Sequence, residues 1–175
     1  YLFFGLMAFP ILAQNKLPKS FQNVIDTTEK VTVKKDVYLF AKATNNGLVL
    51  RWAPSSPSVW LNGNQYGYTV ERILIDDTEN KVFSSVGNCI FKPWPLKDWE
   101  PIVSEATPYR AAAAMTIYGK EDAALPDNFA DAAEDLKNRF SFALLSADLD
   151  FKAAEASGLG FIDLDAKKGN MYVYR

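Results

Sequence analysis

The side chains best suited to chemistry by contact are the tryptophans Trp52, Trp60, Trp94 and Trp99. A rigid indole buries much area at little entropic cost, and its face can stack on a sugar ring or anchor a protein partner. Trp60 stands in a stretch rich in Pro, Ser, Asn and Gly (residues 53–65, APSSPSVWLNGNQ), which predicts a loop. Trp94 and Trp99 stand among Pro93, Pro95 and Pro101, which mark an irregular crossing. Two uses are open to these three rings. They form a ligand-binding surface centred on the 55–65 loop, or they cover a seam between layers of the fold. Trp52 lies in an alternating apolar pattern and is expected in the core.

Carboxylates come next. Glycoside hydrolysis needs two of them roughly 5–10 Å apart in a cleft, and Glu71, Glu100 and Glu105 are imaginable members. Glu71 stands beside Arg72 on a strand, where charge is expected to be solvated, so no catalytic residue is assigned. Asp163-x-Asp165-x-Lys167-x-Gly169 has the alternation of a calcium loop. A lysine stands where such a loop needs an oxygen ligand, and no later Glu follows, so an acidic turn is expected. No Gly-x-Ser-x-Gly elbow and no glycine-rich phosphate loop occurs.

Other chemistries are removed by composition. The chain of 175 residues has no histidine and one cysteine. Histidine triads and imidazole metal ligands are therefore out, as are an internal disulfide and zinc or iron–sulfur sites. No metal and no cofactor are expected, and Cys89 is expected to be a small buried hydrophobe. A net charge of −2 gives no footprint for nucleic acid. The 30–35 stretch (KVTVKK) reads as a solvated strand edge.

The elements that must position these residues begin with β texture. Val37, Leu39 and Ala41 alternate with Tyr38, Phe40 and Lys42, the period of a pleated strand. Asn45-Asn46-Gly47 signals a tight turn. Leu48, Leu50 and Trp52 share one face of the next strand. Residues 66–75 (YGYTVERILI) predict a third strand with Tyr68, Val70 and Arg72 on one side. A fourth is expected at 81–86 and a fifth at 88–91. Residues 106–118 then predict a helix, since alanines 111–114 favour it and Gly119 can end it. A second helix starts at Pro126 and carries Phe129, Ala133, Leu136, Phe140 and Leu144 at helical spacing. A third covers 151–156, and 171–175 (MYVYR) is a strand again.

Residues 2–13 (LFFGLMAFPILA) are apolar but shorter than the roughly 20 residues a membrane span needs. They suit the core of a secretory signal peptide, with Ala13 before a cleavage point. An exported protein without a stable membrane span is expected. No initiator Met or basic segment precedes the run, and Arg175 stands in the middle of a strand pattern, so a sequence truncated at both ends, with a closing strand beyond Arg175, is expected.

Three segments resemble a fibronectin type III domain. Leu48-Val49-Leu50-Arg51-Trp52 is similar to its second strand, and Tyr66-Gly67-Tyr68-Thr69-Val70-Glu71-Arg72 to its third. Gly169-Asn170-Met171-Tyr172-Val173-Tyr174-Arg175 is similar to its sixth, with Tyr172 at the corner of the sandwich. The resemblance implies a mainly β, immunoglobulin-like β-sandwich whose core holds Leu48, Leu50, Trp52, Tyr68, Val70 and Tyr172. The plan is a leader at 1–13, an arm at 14–30, the first part of the sandwich at 31–92, a helical insertion at 93–160 and a return strand at 161–175. The insertion then lies between the fifth and sixth strands. The long interval with residues 139–145 and 158–161 is similar to large exported bacterial proteins. The implied role is a non-catalytic binding or spacer module that meets a protein or glycan at the bacterial surface. The alternative is an accessory domain of a carbohydrate-active enzyme.

Overall fold

The computed structural model describes residues 36–75, 82–87, 90–119 and 128–175. The expected leader and arm, the 31–35 strand start, Cys89 and Pro126 lie outside the described residues. Strands β1 (Val37–Thr44) and β2 (Gly47–Pro54) form the predicted hairpin about Asn45-Asn46. Their register is continuous, from Thr44 opposite Gly47 to Val37 opposite Pro54. The Thr44 hydroxyl pins the turn: it donates to the Gly47 carbonyl at 2.9 Å and accepts from the Asn46 N–H at 3.3 Å. Alternation buries Leu50, Trp52 and Pro54 on one face of β2. From the same strand, the Arg51 guanidinium reaches the Leu144 carbonyl at 3.4 Å and the Asp148 carboxylate at 3.2 Å.

The stretch predicted as a loop is a helix, α1 (Pro57–Tyr66). Its start was written in the sequence: Ser56 caps it, accepting from the Val59 N–H at 3.4 Å, and Pro57 suits the first turn. Asn and Gly oppose helix locally, but burial of Trp60, which is fully shielded, overrides that weak preference. Gly67 ends the helix with φ +86° while its N–H donates to the Gly63 carbonyl at 2.8 Å. Gly63 has a second task. A methyl there would collide with the Tyr68 phenol ring, so only glycine lets that ring lie against α1.

Because α1 runs to Tyr66, the third strand starts late, as β3 (Glu71–Ile75). Tyr68 makes an isolated bridge with Phe91, the last residue of the expected fifth strand, whose residues 88 and 89 lie outside the described residues. The fourth is short, β4 (Ser84–Ser85), paired with β3. Then come α2 (Leu96–Trp99), a 3₁₀ turn (Glu100–Ile102), α3 (Pro108–Tyr118), α4 (Phe129–Leu149) and α5 (Phe151–Ala156). Helix α4 outruns its predicted apolar stripe by a turn. Asp150 stops it and caps α5 at once, accepting from the N–H groups of Lys152 at 2.8 Å and Ala153 at 3.3 Å.

After α5 the chain forms β5 (Gly160–Asp163), antiparallel to β2, and β6 (Met171–Tyr174), antiparallel to β3. β5 was not read as a strand of its own because four residues, Gly160 among them, are too few to show a period. Among the described residues, the helical segment lies between β4 and β5. The return to the sheets begins at Gly160. The sheets are β1-β2-β5 and β4-β3-β6. The fold is mixed α/β rather than mainly β, since the helices, led by the 21 residues of α4, outweigh the short strands.

One apolar cluster joins both sheets to the helices. Leu50, Trp52, Val70, Val86, Ala147, Ala154 and Leu159 are buried in it. Phe91, itself half-buried, packs against it, 5.3 Å from Trp52 and 4.9 Å from Phe161 between ring centroids. Of the predicted core, Leu50, Trp52 and Val70 are interior and Tyr68 packs against them. Leu48 and Tyr172 are only half-buried. Leu48 lies next to the open hairpin turn. Tyr172 shares a face with Tyr174, and it is Tyr174 that reaches the cluster. The Tyr172 hydroxyl instead accepts the Lys167 N–H at 3.0 Å.

Candidate functional site

A second cluster builds the helical segment around Trp99, which is 1% exposed, with Ala113, Ala153 and Ala156. Alanines at these contacts let α3 and α5 approach the indole closely. The Trp99 N–H donates to the Trp94 carbonyl at 3.1 Å, and the Tyr118 hydroxyl donates to the same oxygen. Burial raises the Tyr118 phenol above its ordinary value, partly offset by the Trp99 indole, so it is a neutral donor at neutral pH. The Trp94 N–H in turn donates to the Ala156 carbonyl at 2.8 Å, anchoring the crossing to the end of α5. Lys152 lies over the Trp94 ring, its Nζ 4.7 Å from the centroid.

Arg110 locks the frame. Its Nε donates to Asp150 Oδ2 at 2.8 Å and its Nη1 to the Ile102 carbonyl at 3.2 Å, so α3, the 3₁₀ turn and the α4–α5 junction share one guanidinium. Burial alone would raise the Asp150 carboxyl, but the Arg110 bond and the two capping N–H groups outweigh it and lower the pKa. At the far end of α3, Arg139 of α4 donates to the carbonyls of Thr116 at 2.8 Å and Ile117 at 3.2 Å. A cation there satisfies last-turn carbonyls and suits the helix dipole.

Between α2 with its 3₁₀ turn and α3, this frame leaves an open groove of about 660 Å³. Trp99, Val103, Ala111, Ala114, Leu96 and Met115 line it. Leu96 is 54% and Met115 46% exposed, so both apolar side chains are open to solvent. The charged residues that line it, Lys97 and Glu100, are exposed and of opposite sign. The volume lies in the range of small-ligand sites, yet no set of buried polar groups converges on it. What it can do is receive an apolar side chain.

The tryptophans predicted as a contact surface are dispersed. Trp60 is buried between α1 and α4, its ring 6.3 Å from Phe140 and with the Arg139 guanidinium 5.9 Å from its centroid. It presents no face to a partner, because the loop expected to display it is a helix packed on α4. Trp94 and Trp99 are brought together, as cover for a seam, and Trp99 contributes one wall of the groove. Leu96, Val103 and Met115 were not singled out by sequence reasoning. The signal for them was the alanine run at 111–114 ending in Met115, which marks a helix face too small to fill its own surroundings. Asp163 of the expected acidic turn is 1% exposed, and its Oδ2 is taken by Arg72 at 2.6 Å and the Tyr174 hydroxyl at 2.8 Å.

Comparison with protein-family models, with curated proteins and with solved structures finds no match to this chain. Among the described residues, no helix is long and apolar enough to cross a membrane.

Proposed function

We propose that the chain is a non-catalytic binding module of a larger exported protein, and that it recognises an apolar side chain of a protein partner in the groove walled by Trp99. The groove carries the proposal: a 660 Å³ apolar recess on ordered helices, with Leu96 and Met115 exposed. A protein partner fits better than a glycan. Sugar recognition pairs an exposed aromatic face with polar groups, whereas Trp99 is shielded and the lining is apolar. Flexible Met115 suits a surface that adapts to the side chain it receives.

The β part supports a sandwich of fibronectin type III kind. Its first, second and fifth strands adjoin in one sheet, and its third and sixth in the other, as in immunoglobulin-like sandwiches. The bond from the Lys167 N–H to the Tyr172 hydroxyl has the character of the tyrosine corner. Export rests on the apolar leader-like run at 2–13.

The test is a selection of displayed random peptides on the wild-type chain, counter-selected on Met115→Glu, beside an oligosaccharide array. Met115 is exposed enough for the variant to fold. Enriched peptides sharing an apolar side chain, and binding M115E at least about tenfold more weakly, support the reading. No enrichment, or glycan binding indifferent to M115E, overturns it.

A further inference from the structure

We infer that the outer edge of β1, beside which no described strand lies, pairs with the β1 edge of a second copy, giving a weak two-fold dimer with antiparallel strands. Hydrogen-bond parity fixes which backbone groups of β1 face away from β2. The Trp52 N–H donates to Leu159 at 3.0 Å, towards the β5 side of β2. Backbone groups alternate sides along a strand. Even-numbered residues of β2 therefore face β5, and odd-numbered ones face β1. Through the register Phe40 opposite Arg51 and Lys42 opposite Val49, the even residues of β1 bond to β2. The N–H and C=O groups of Val37, Leu39, Ala41 and Ala43 point to the other edge, where no described strand lies.

Natural edge strands are blunted by shortness, proline, bulges or charge. β1 runs for eight residues without proline, its register with β2 has no bulge, and it bears one charge, Lys42. Its outer face shows Tyr38 at 49% and Phe40 at 55% exposure. The sequence is self-complementary about Phe40. In that register Leu39 meets Ala41 and Val37 meets Ala43 of the second copy as hydrogen-bonded pairs, all four being residues whose backbone groups point away from β2. Phe40 meets Phe40 at the closer, non-hydrogen-bonded position, where aromatic pairs stabilise a sheet. Lys42 meets the Tyr38 ring, a cation over an aromatic face. A shift centred on Lys42 would oppose two ammonium groups, so charge disfavours that register. The contact is isologous and closes on itself. One eight-residue edge buries less than the roughly 1,200 Å² of stable interfaces, so the dimer is weak.

The test is sedimentation equilibrium of the full chain up to about 1 mM, a concentration at which a weak interface of this kind associates. The wild type dimerises with concentration. Ala41→Pro removes a donor from the outer edge and none from the β1–β2 ladder, and it weakens the dimer at least about tenfold. Phe40→Glu and Phe40→Lys are each monomeric, and an equimolar mixture of the two dimerises. A wild type that stays monomeric overturns the inference, as does dimerisation of A41P at wild-type strength or a mixture that remains monomeric.

Discussion

Arg72 of β3 and Asp163 of β5 meet at 2.6 Å between Nη1 and Oδ2, clipping one sheet to the other. The two ends of the pair are not equivalent. The Asp163 side chain is 1% exposed and that of Arg72 22% exposed, so the guanidinium keeps a route to water and the carboxylate does not. Burial alone would lower the Arg72 pKa, but the hydrogen bond and charge of Asp163 outweigh it. Removing Arg72 strands a buried charge, whereas removing Asp163 releases a cation towards solvent. Arg72→Met is expected to cost about 3 kcal/mol or more, and Asp163→Leu less. The double variant should regain part of the loss. Urea unfolding of all three checks the order; equal losses for both single variants would contradict it.

Acid stability reports on Asp150. Its folded pKa lies below the ordinary value of about 3.9, because Arg110 and two N–H groups favour the carboxylate beyond what burial opposes. Such a group stabilises above its unfolded pKa, and the contribution is lost as pH falls through the folded value. Asp150→Asn keeps a capping side chain but loses the ion pair. It should be destabilised by about 1 kcal/mol at pH 7, with the gap to wild type closing below about pH 4. Thermal melts across pH 2–7 measure this.

Tyr68 gives the opposite limit. Burial, partly offset by Arg51, pushes its phenol up to about 12. The folded state thus favours the neutral form. Wild-type stability should be unaffected below an unfolded pKa of about 10 and fall as pH rises from there. Among the described residues, the buried hydroxyl has no hydrogen-bond partner. Tyr68→Phe should therefore match or exceed wild type by up to about 1 kcal/mol at pH 7, and lead by more above pH 10. A loss of stability at pH 7 would mean that the hydroxyl is satisfied.

Iodide quenching separates the indoles. Trp52, Trp60 and Trp99 are at most 2% exposed, and Trp94 is half-buried under Lys152. Quenching of the native protein should be small, and Trp94→Phe should abolish most of it. If Trp60→Phe abolished it instead, the packing of α1 on α4 would be wrong.

How much of this was legible depended on whether the deciding force was local. The Asn45-Asn46 hairpin, the alanine helix α3 and the interior fate of Trp52 follow from turn chemistry, propensity and period, and all were readable. Helix α1 was misread because its Asn and Gly residues argue for a loop, while the burial of Trp60 against α4 comes from across the fold. β5 was invisible because a four-residue strand is defined by its partner β2, not by its own pattern. The groove was half legible. Trp99 drew attention as an aromatic, but Leu96 and Met115 matter through an exposure that only the packing of α2 against α3 reveals.

The binding proposal is tested most directly at the methionine methyl groups. Met115 lines the groove, while Met171 lies on β6 in a separate sheet. In a protein carrying ¹³C-methyl methionine, titration with the selected apolar peptide should shift the Met115 resonance saturably and leave Met171 in place. A Met115 resonance that does not move while the peptide binds would contradict the account.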